Sequence, residues 1–395
     1  MNSALITMPA TRHARPTRLP PVAFSLAIAV AMAYVTAPMV TVDMAVYLIP
    51  WFDHIAASGA ITVFAHPFSN YTPLYLYLLA AITPLGGLVP QVVLIKLLSL
   101  LGTAALAFAV RAVLVRLGAP QANRGAALVA VLPSVMLNAG LMGQCDAMWA
   151  AACIMALAAA LDRRHAAMLA WCGLALGFKA QSVFVAPFFL ALLVNRHVPL
   201  RLWLIAPLVT VATILPAWMA GWPASDLALV YLRQADYFQA LSMNAPNIWA
   251  IVQRLPLDGL PLAGLAFAAA IGVGGAYVAR ISTLRLDGRA LVAAAALAPL
   301  LMVGLLPRMH ERFFFLTDIV TLIVALANRD RASWRIALLV QAGSSLGLLG
   351  YLIGWDGFAV VGAVPMLVAT VSLARIVVKP AANDNPLMAR PPLRT

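Results

Sequence analysis

The chain has 395 residues, of which 64% are hydrophobic and only 10% charged, with a formal net charge of +13. Soluble domains carry about 25% charge, so this composition excludes an ordinary soluble enzyme and reads as a polytopic membrane protein. Lys and Arg of such chains collect in cytoplasmic loops, which accounts for the positive excess without invoking nucleic acid.

Taken in chain order, Arg12, Arg15 and Arg18 precede an apolar run over 22–40. That run is longer than a signal-peptide core and continues into Thr41-Val42-Asp43, predicting a retained first span behind a cytoplasmic tail over 1–21. A span takes roughly 20 apolar residues, with about 17–25 usual. Further spans are expected at about 90–116, 123–140, 147–161, 166–179, 181–195, 200–221, 261–279, 289–306, 311–328, 333–353 and 357–378. The expected fold is therefore an all-α polytopic bundle of twelve spans, or ten if the short segments flanking Lys179 do not cross. It forms one domain over 22–379, with both termini cytoplasmic and a disordered cytoplasmic tail over 380–395. A first outer loop covers about 41–89. Within it the apolar stretch 73–84 is too short to cross and is expected along the interface, with Tyr75 and Tyr77 at headgroup level. A second large outer segment covers about 222–260.

This layout leaves six of the 26 basic residues on the outer side: Lys96, Lys179, Arg233, Arg254, Arg308 and Arg312. Cys145, Cys153 and Cys172 sit in or beside apolar runs without metal-ligand spacing and read as packing residues.

Polar groups near membrane depth are costly and often functional, and five groups stand out. Asp43 follows directly on the first span; it is either the N-cap of a helix over 44–57 or a carboxylate able to take a proton from an acceptor hydroxyl. Asp53 and His54 either support such a site or are interfacial polar residues. In the turn 138–149, Gln144 and Asp146 either cap the next helix or hold a basic residue in place. Lys179 lies between two apolar runs with no acidic sequence neighbour. It snorkels, contacts a lipid phosphate, or pairs with an acid from another loop. Residues 305–315 contain Arg308, His310, Glu311 and Arg312; a helix there would put both arginines on one face, suited to a phosphate. The alternative is an ion-pair cluster capping a span. Finally, Asn244, Asn247, Trp249 and Arg254 offer hydrogen bonds and a stacking surface of the kind sugars use.

Together, Asp43, the PWFDHI and FSNYTPLYLYLL pieces, GQCDAMW at 143–149, FKAQ at 178–181, SMNAPNIW at 242–249 and PRMHERFFF at 307–315 resemble the GT-C superfamily of integral-membrane glycosyltransferases. The pattern looks most like bacterial relatives of the mannosyltransferase that adds the second mannose of GPI anchors. The resemblance implies a mannose-like hexose moved from a polyprenyl-phosphate donor to a lipid or glycan acceptor. It also implies a site outside the inner membrane, facing the periplasm, and no nucleotide-sugar pocket.

The expected reaction is a single inverting displacement. Asp43 is the general base, and Arg308, Arg312, His310 and Lys179 hold the departing phosphate. Tyr71, Gln181, Asp53, His54, Gln144, Asp146, Asn244, Asn247, Trp249 and Glu311 support the site or bind substrate, with no metal or cofactor required. This scheme requires Asp43, Lys179, Arg308 and Arg312 to converge on one cavity. The alternatives are a secondary transporter or lipid flippase, whose polar groups would lie near the midplane of two related halves, and an O-antigen-ligase-like glycan transferase.

Overall fold

A computed structural model describes residues 21–236, 239–257 and 259–378. Of the tails expected at 1–21 and 380–395, all but Pro21 lies outside the described residues, as do Asp258 and Lys379.

Helix α1 (Pro21–Val35) leads through a turn into a π-helical stretch, Met44–Leu48, and α2 (Ile49–Ser58). A single 3-10 turn, Thr62–Ala65, precedes α3 (Pro73–Ile82), and the long α4 (Gln91–Arg116) follows. Next come α5 (Ala122–Ala130) and α6 (Pro133–Val135), the latter extended by a π-helical turn over Met136–Leu141. Pro133 has no N–H to continue the ladder of α5, and the chain bends by 44° there. Helices α7 (Asp146–Leu161) and α8 (His165–Phe178) are followed by a 3-10 segment, Ala180–Val185, and α9 (Ala186–Asn195). After α10 (Leu200–Trp203), α11 (Ile205–Met219) and α12 (Ala224–Asp236) comes a short strand, β1 (Ser242–Met243), then α13 (Ile248–Val252). The chain closes with α14 (Leu262–Ile281), α15 (Gly288–Leu305), β2 (Met309–His310), α16 (Phe315–Asn328), α17 (Arg331–Ile353) and α18 (Gly357–Val378).

The expected bundle of twelve spans, or ten, is not what this sequence builds. Among the described residues six helices are long and apolar enough to cross a membrane: α4, α10 with α11, α14, α15, α17 and α18. A seventh arises if the bent pair Ala122–Ala130 and Pro133–Leu141 is one span. These make it a multi-pass membrane protein by length and composition. The other segments read as spans form shorter helices: α1 and α7 have 15 and 16 residues, α8 and α16 have 14 each, and α9 has ten. At about 1.5 Å per residue they reach roughly 15–24 Å, against a hydrocarbon core of about 30 Å.

Packing uses the short helices instead as the centre of the bundle. Helix α7 packs against both α4 and α8, and α16 against both α15 and α17. Alanine dominates α7 and the middle of α15, and nearly every residue of α7 and α16 is buried. Without large side chains to separate the backbones, the helices approach closely. The α8–α11 contact shows this most clearly: a Cβ at Gly173 would meet the Ala206 carbonyl oxygen, and one at Gly177 the Thr213 side chain.

A second, smaller core underlies the 41–89 segment, built from Met44, Leu48, Trp51, Phe52, Phe64, Tyr71 and Tyr75 with Ile95 and Trp222. Helix α3 belongs to it, and Tyr75, expected at headgroup level, lies inside this core instead. Tyr75 is fully buried, and the Tyr77 hydroxyl accepts from the Ala217 N–H at 2.8 Å.

Most of the described arginines gather at one end. Arg116 pairs with Asp162 at 2.9 Å, Arg196 donates to the carbonyl of Ala160, and Arg280 donates to that of Val378. Pro21, at the start of α1, shares a surface cavity with Arg111 and Arg124 at this same end. The polar residues singled out above lie at the other end.

Candidate functional site

The site is assembled by loops that a short helical core brings to one end of the bundle. Asp43 sits in right-handed helical backbone at the start of the π-helical stretch and makes no side-chain cap, so its reading as an N-cap is overturned. Its N–H donates to the Tyr351 hydroxyl of α17 at 3.0 Å. The turn before it is held by buried Lys96, whose Nζ donates to the carbonyls of Thr36 and Met39. This explains one of the basic residues that topology left unassigned: Lys96 ties the turn after α1 to α4.

From Asp43 a continuous polar chain runs into the core. Asp43 Oδ2 lies 2.9 Å from Arg312 Nη1 and accepts from Gln144 Nε2 at 3.2 Å. Gln144 Oε1 accepts from the Tyr71 hydroxyl at 3.3 Å and from Lys179 Nζ at 3.4 Å. Lys179 Nζ pairs with Asp146 Oδ1 at 2.7 Å and stands 4.9 Å from the centre of the Tyr71 ring. Asp146 also accepts from Asn138 Nδ2 at 2.7 Å and Trp149 Nε1 at 2.9 Å, and its Oδ2 is 3.9 Å from Arg312 Nε. Arg312 pairs further with Glu311, and Glu311 Oε2 is 3.7 Å from His310 Nδ1.

Burial opposes charge on each of these groups, and pairing overcomes it. For Asp146 burial would raise the carboxyl, but the Lys179 ammonium and the Arg312 guanidinium hold it below the usual range. Burial would likewise favour neutral Lys179, yet Asp146 keeps its affinity for the proton above the ordinary value. Burial also works against Arg312, and Asp43 and Glu311 reverse it. Glu311 is lowered by Arg312 and His310 against burial. For Tyr71 burial outweighs the neighbouring Lys179 and Arg312 charges and pushes its phenol up to about 12.

The two arginines do not share a helix face. Residues 306–314 form a strand and turn, with β2 parallel to β1 in the register Ser242 to Met309 and Met243 to His310. The Arg308 N–H donates to the Leu241 carbonyl at 2.8 Å and the Glu311 N–H to that of Met243 at 3.1 Å. Arg308 takes a left-handed φ of 63°. Its guanidinium donates to Gln239 at 3.2 Å while Arg312 turns inward.

A cavity of about 300 Å³ opens beside this cluster. Asp43, Tyr71, Gln144, Gln181, Arg308, His310 and Arg312 line it, together with Tyr47, Asn70, Tyr231 and Gln234. Its apolar wall comes from Val183, Phe184, Phe267, Leu306 and Phe313. Lys179, Asp146 and Glu311 are not among its lining residues; they are almost fully buried in the ion-pair chain alongside it. Of the four residues expected to converge, Asp43, Arg308 and Arg312 meet on the cavity and Lys179 supports it through Asp146 and Gln144.

Other expected site residues lie elsewhere. Asp53 is exposed on α2, and His54 packs its ring 5.2 Å from Phe68. Asn247 caps α13, accepting from the N–H groups of Trp249 and Ala250, and Trp249 Nε1 donates to the Leu305 carbonyl at 2.6 Å. Asn244 takes a left-handed turn beside Gly350. Arg254 forms an exposed pair with Asp356 at 2.5 Å. These residues brace the 242–255 segment and present no stacking surface to the cavity.

The residues that sequence reasoning missed are Asn70, Tyr231, Gln234 and Tyr351. Tyr231 and Gln234 sit on the amphipathic α12, whose polar face within an otherwise apolar chain is a legible signal. No local pattern distinguishes Tyr351 within α17, which reads as an unbroken span.

No protein-family model matches the chain, and neither does any curated protein. With the six or seven membrane-length helices, this overturns the resemblance to the GT-C superfamily and to GPI mannosyltransferase relatives. The motifs that carried it are short, and several prove to be local bracing.

Proposed function

We propose that the cavity transfers a glycosyl group from a lipid-linked phosphate donor to an acceptor hydroxyl, with Asp43 as general base. The observation that carries this reading is the placement of a carboxylate, Asp43, and two guanidiniums, Arg308 and Arg312, on one partly apolar cavity. Asp43 takes the hydroxyl proton as the acceptor oxygen attacks the anomeric carbon. The bond from that carbon to the phosphate oxygen breaks, and the phosphate leaves with its electron pair. Arg308 and Arg312 stabilise that charge. Asn70 Oδ1 and Gln181 Oε1 are buried at the cavity and meet no hydrogen-bond donor among the described residues, which suits them to accept from sugar hydroxyls.

We place the arginine-rich end of the bundle in the cytoplasm, a reading that the positive-inside bias supports. The cavity then faces outward from a bacterial-type inner membrane, and α1 starts and α18 ends on the cytoplasmic side. The donor, a lipid or glycan acceptor and the surrounding lipids are the partners of this reading.

The test is transfer from a polyprenyl-phosphate hexose in proteoliposomes. Loss of a general base lowers turnover by about 10²–10⁴-fold, so Asp43→Asn is expected in that range, with Arg308→Ala mainly raising the donor KM. Transfer by Asp43→Asn near the wild-type rate refutes the base assignment.

A further inference from the structure

At the end of the bundle opposite this cavity, the turn between α16 and α17 forms a second polar feature. Arg329, Arg331 and Arg335 line a cavity of about 460 Å³ with Trp334, Leu338 and Leu339. Asp330 is the one acid lining it, and both its oxygens are engaged as the N-cap of α17. Oδ1 accepts from the Ser333 N–H and Oδ2 from the Ser333 hydroxyl, each at 2.8 Å. Asn328 Nδ2 also donates to Ser333 Oγ at 3.0 Å, so the turn is fixed without the arginines. Arg329 follows α16 with a left-handed φ of 61°, which turns the chain into α17.

Four other arginines at this end are engaged with the protein. Arg111 donates to Asn123, Arg116 binds Asp162, Arg196 binds the carbonyls of Ala160 and Leu286, and Arg280 binds that of Val378. Among the described residues the guanidiniums of Arg329, Arg331 and Arg335 take part in no hydrogen bond or ion pair. On α17 the positions Arg331, Arg335 and Leu338 recur at helical spacing and share one face. Along that face the chemistry passes from two guanidiniums, beside the half-buried Trp334, to Leu338, which is 63% exposed. Seven residues cover about 10 Å of helix, enough to pass from a headgroup layer of roughly 5–8 Å into the acyl region. Helix α17 is itself of membrane-spanning length.

We propose that this turn is a binding site for one anionic diacyl phospholipid. Its phosphate is held by Arg329, Arg331 and Arg335, Trp334 packs at the glycerol level, and an acyl chain lies along Leu338. Basic pockets beside membrane helices take anionic headgroups in this way. The occupant is a lipid and not a free phosphate because the basic rim and the lipid-facing Leu338 belong to one continuous groove.

The experiment uses the full-length protein in detergent, read by native mass spectrometry with phosphatidylglycerol or phosphatidylcholine added. The wild type is expected to retain one phosphatidylglycerol in preference to phosphatidylcholine. R331Q/R335Q is expected to weaken that retention about tenfold to thirtyfold, from the loss of two surface guanidiniums. The control is R163Q/R164Q, two exposed arginines at the same end but outside this cavity, which is expected to leave retention unchanged. Equal losses in the two doubles mean diffuse attraction by the basic end and overturn the site. So does an absence of preference between the lipids. Inorganic phosphate is expected not to displace the lipid; full displacement at millimolar phosphate overturns the lipid as occupant. Thermal melting in phosphatidylcholine alone verifies that both doubles fold.

Discussion

Replacing Lys179 with Met tests the internal logic of the candidate site without reference to its chemistry. The ammonium and its partner Asp146 are 2.7 Å apart with side chains only 3% and 2% exposed, so solvent does not screen them. Met keeps the unbranched stem, one atom shorter, and removes the charge. Asp146 would then be a buried carboxylate with only neutral hydrogen bonds from Asn138 and Trp149 and a distant Arg312 Nε at 3.9 Å. Breaking one side of a buried pair costs about 3–5 kcal/mol. Unfolding entropy of about 2.1 cal/mol/K per residue gives roughly 0.8 kcal/mol/K for a chain of this length, so Tm should fall by about 4–6 °C. Helices retained in detergent reduce that entropy and enlarge the shift. The assay is thermal melting in detergent followed by size-exclusion fluorescence. Adding Asp146→Asn to Lys179→Met should recover stability, because the uncompensated charge is gone. With its amide flipped, Asn138 Oδ1, buried without a donor, then accepts from the new amide that replaces Asp146 Oδ2. The coupling between the two sites should be about 1–3 kcal/mol. A Lys179→Met loss below about 1 °C, or additive single variants, refutes the claim that this pair anchors the polar chain.

Three other outcomes follow from the same coordinates. Gly173→Ala places a Cβ against the Ala206 carbonyl and 2.8 Å from Val209 Cβ, so α8 and α11 must separate at a cost of about 1–3 kcal/mol; an unchanged Tm would show that the contact is loose. Asp318 is buried on α16, accepts from Ser344 Oγ at 2.8 Å and has no ion-pair partner among the described residues. Asp318→Asn should therefore stay within about 1 kcal/mol, while Asp318→Ala loses the acceptor for a buried hydroxyl and costs about 1–3 kcal/mol; equal losses in both refute this. The folded-state values of Asp146 and Glu311 lie below their unfolded references of 3.8 and 4.5. Their contribution is complete above those references and is lost as pH falls through the lower folded values. Melting from pH 7 to pH 3 should show these carboxylates contributing a decline concentrated below about pH 4.5. In Asp146→Asn that decline should be smaller, and an identical acid limb would rule Asp146 out as a source.

How much of this was legible beforehand varies from residue to residue. The sequence isolated Asp43, Gln144, Lys179, Arg308 and Arg312 as polar groups that membrane topology did not explain, and these meet in or beside one cavity. It could not pair them. Lys179 has no acid near it in sequence, and its partner lies on the far side of a helical hairpin made by α7 and α8. The six outer basic residues looked equivalent by charge. Packing gives them different duties: Lys96 holds a turn, Arg254 an exposed pair, and Arg312 a carboxylate cluster.

The composition by itself determined that the chain is an α-helical membrane protein, because so little polar surface leaves no way to fold around a water-facing exterior. It also determined which residues would be expensive to bury. The number of helices that cross was decided only in three dimensions. A hydrophobic run records affinity for an apolar environment, and neighbouring helices supply one as well as lipid does. Thus α7 and α16, as apolar as true spans, stop after 16 and 14 residues and become the packed centre of the bundle. The same packing separates Arg308 from Arg312 by a strand and turn and sets Arg312 against Asp43. Segments 269 positions apart are brought together by buried ion pairs whose geometry no local pattern encodes.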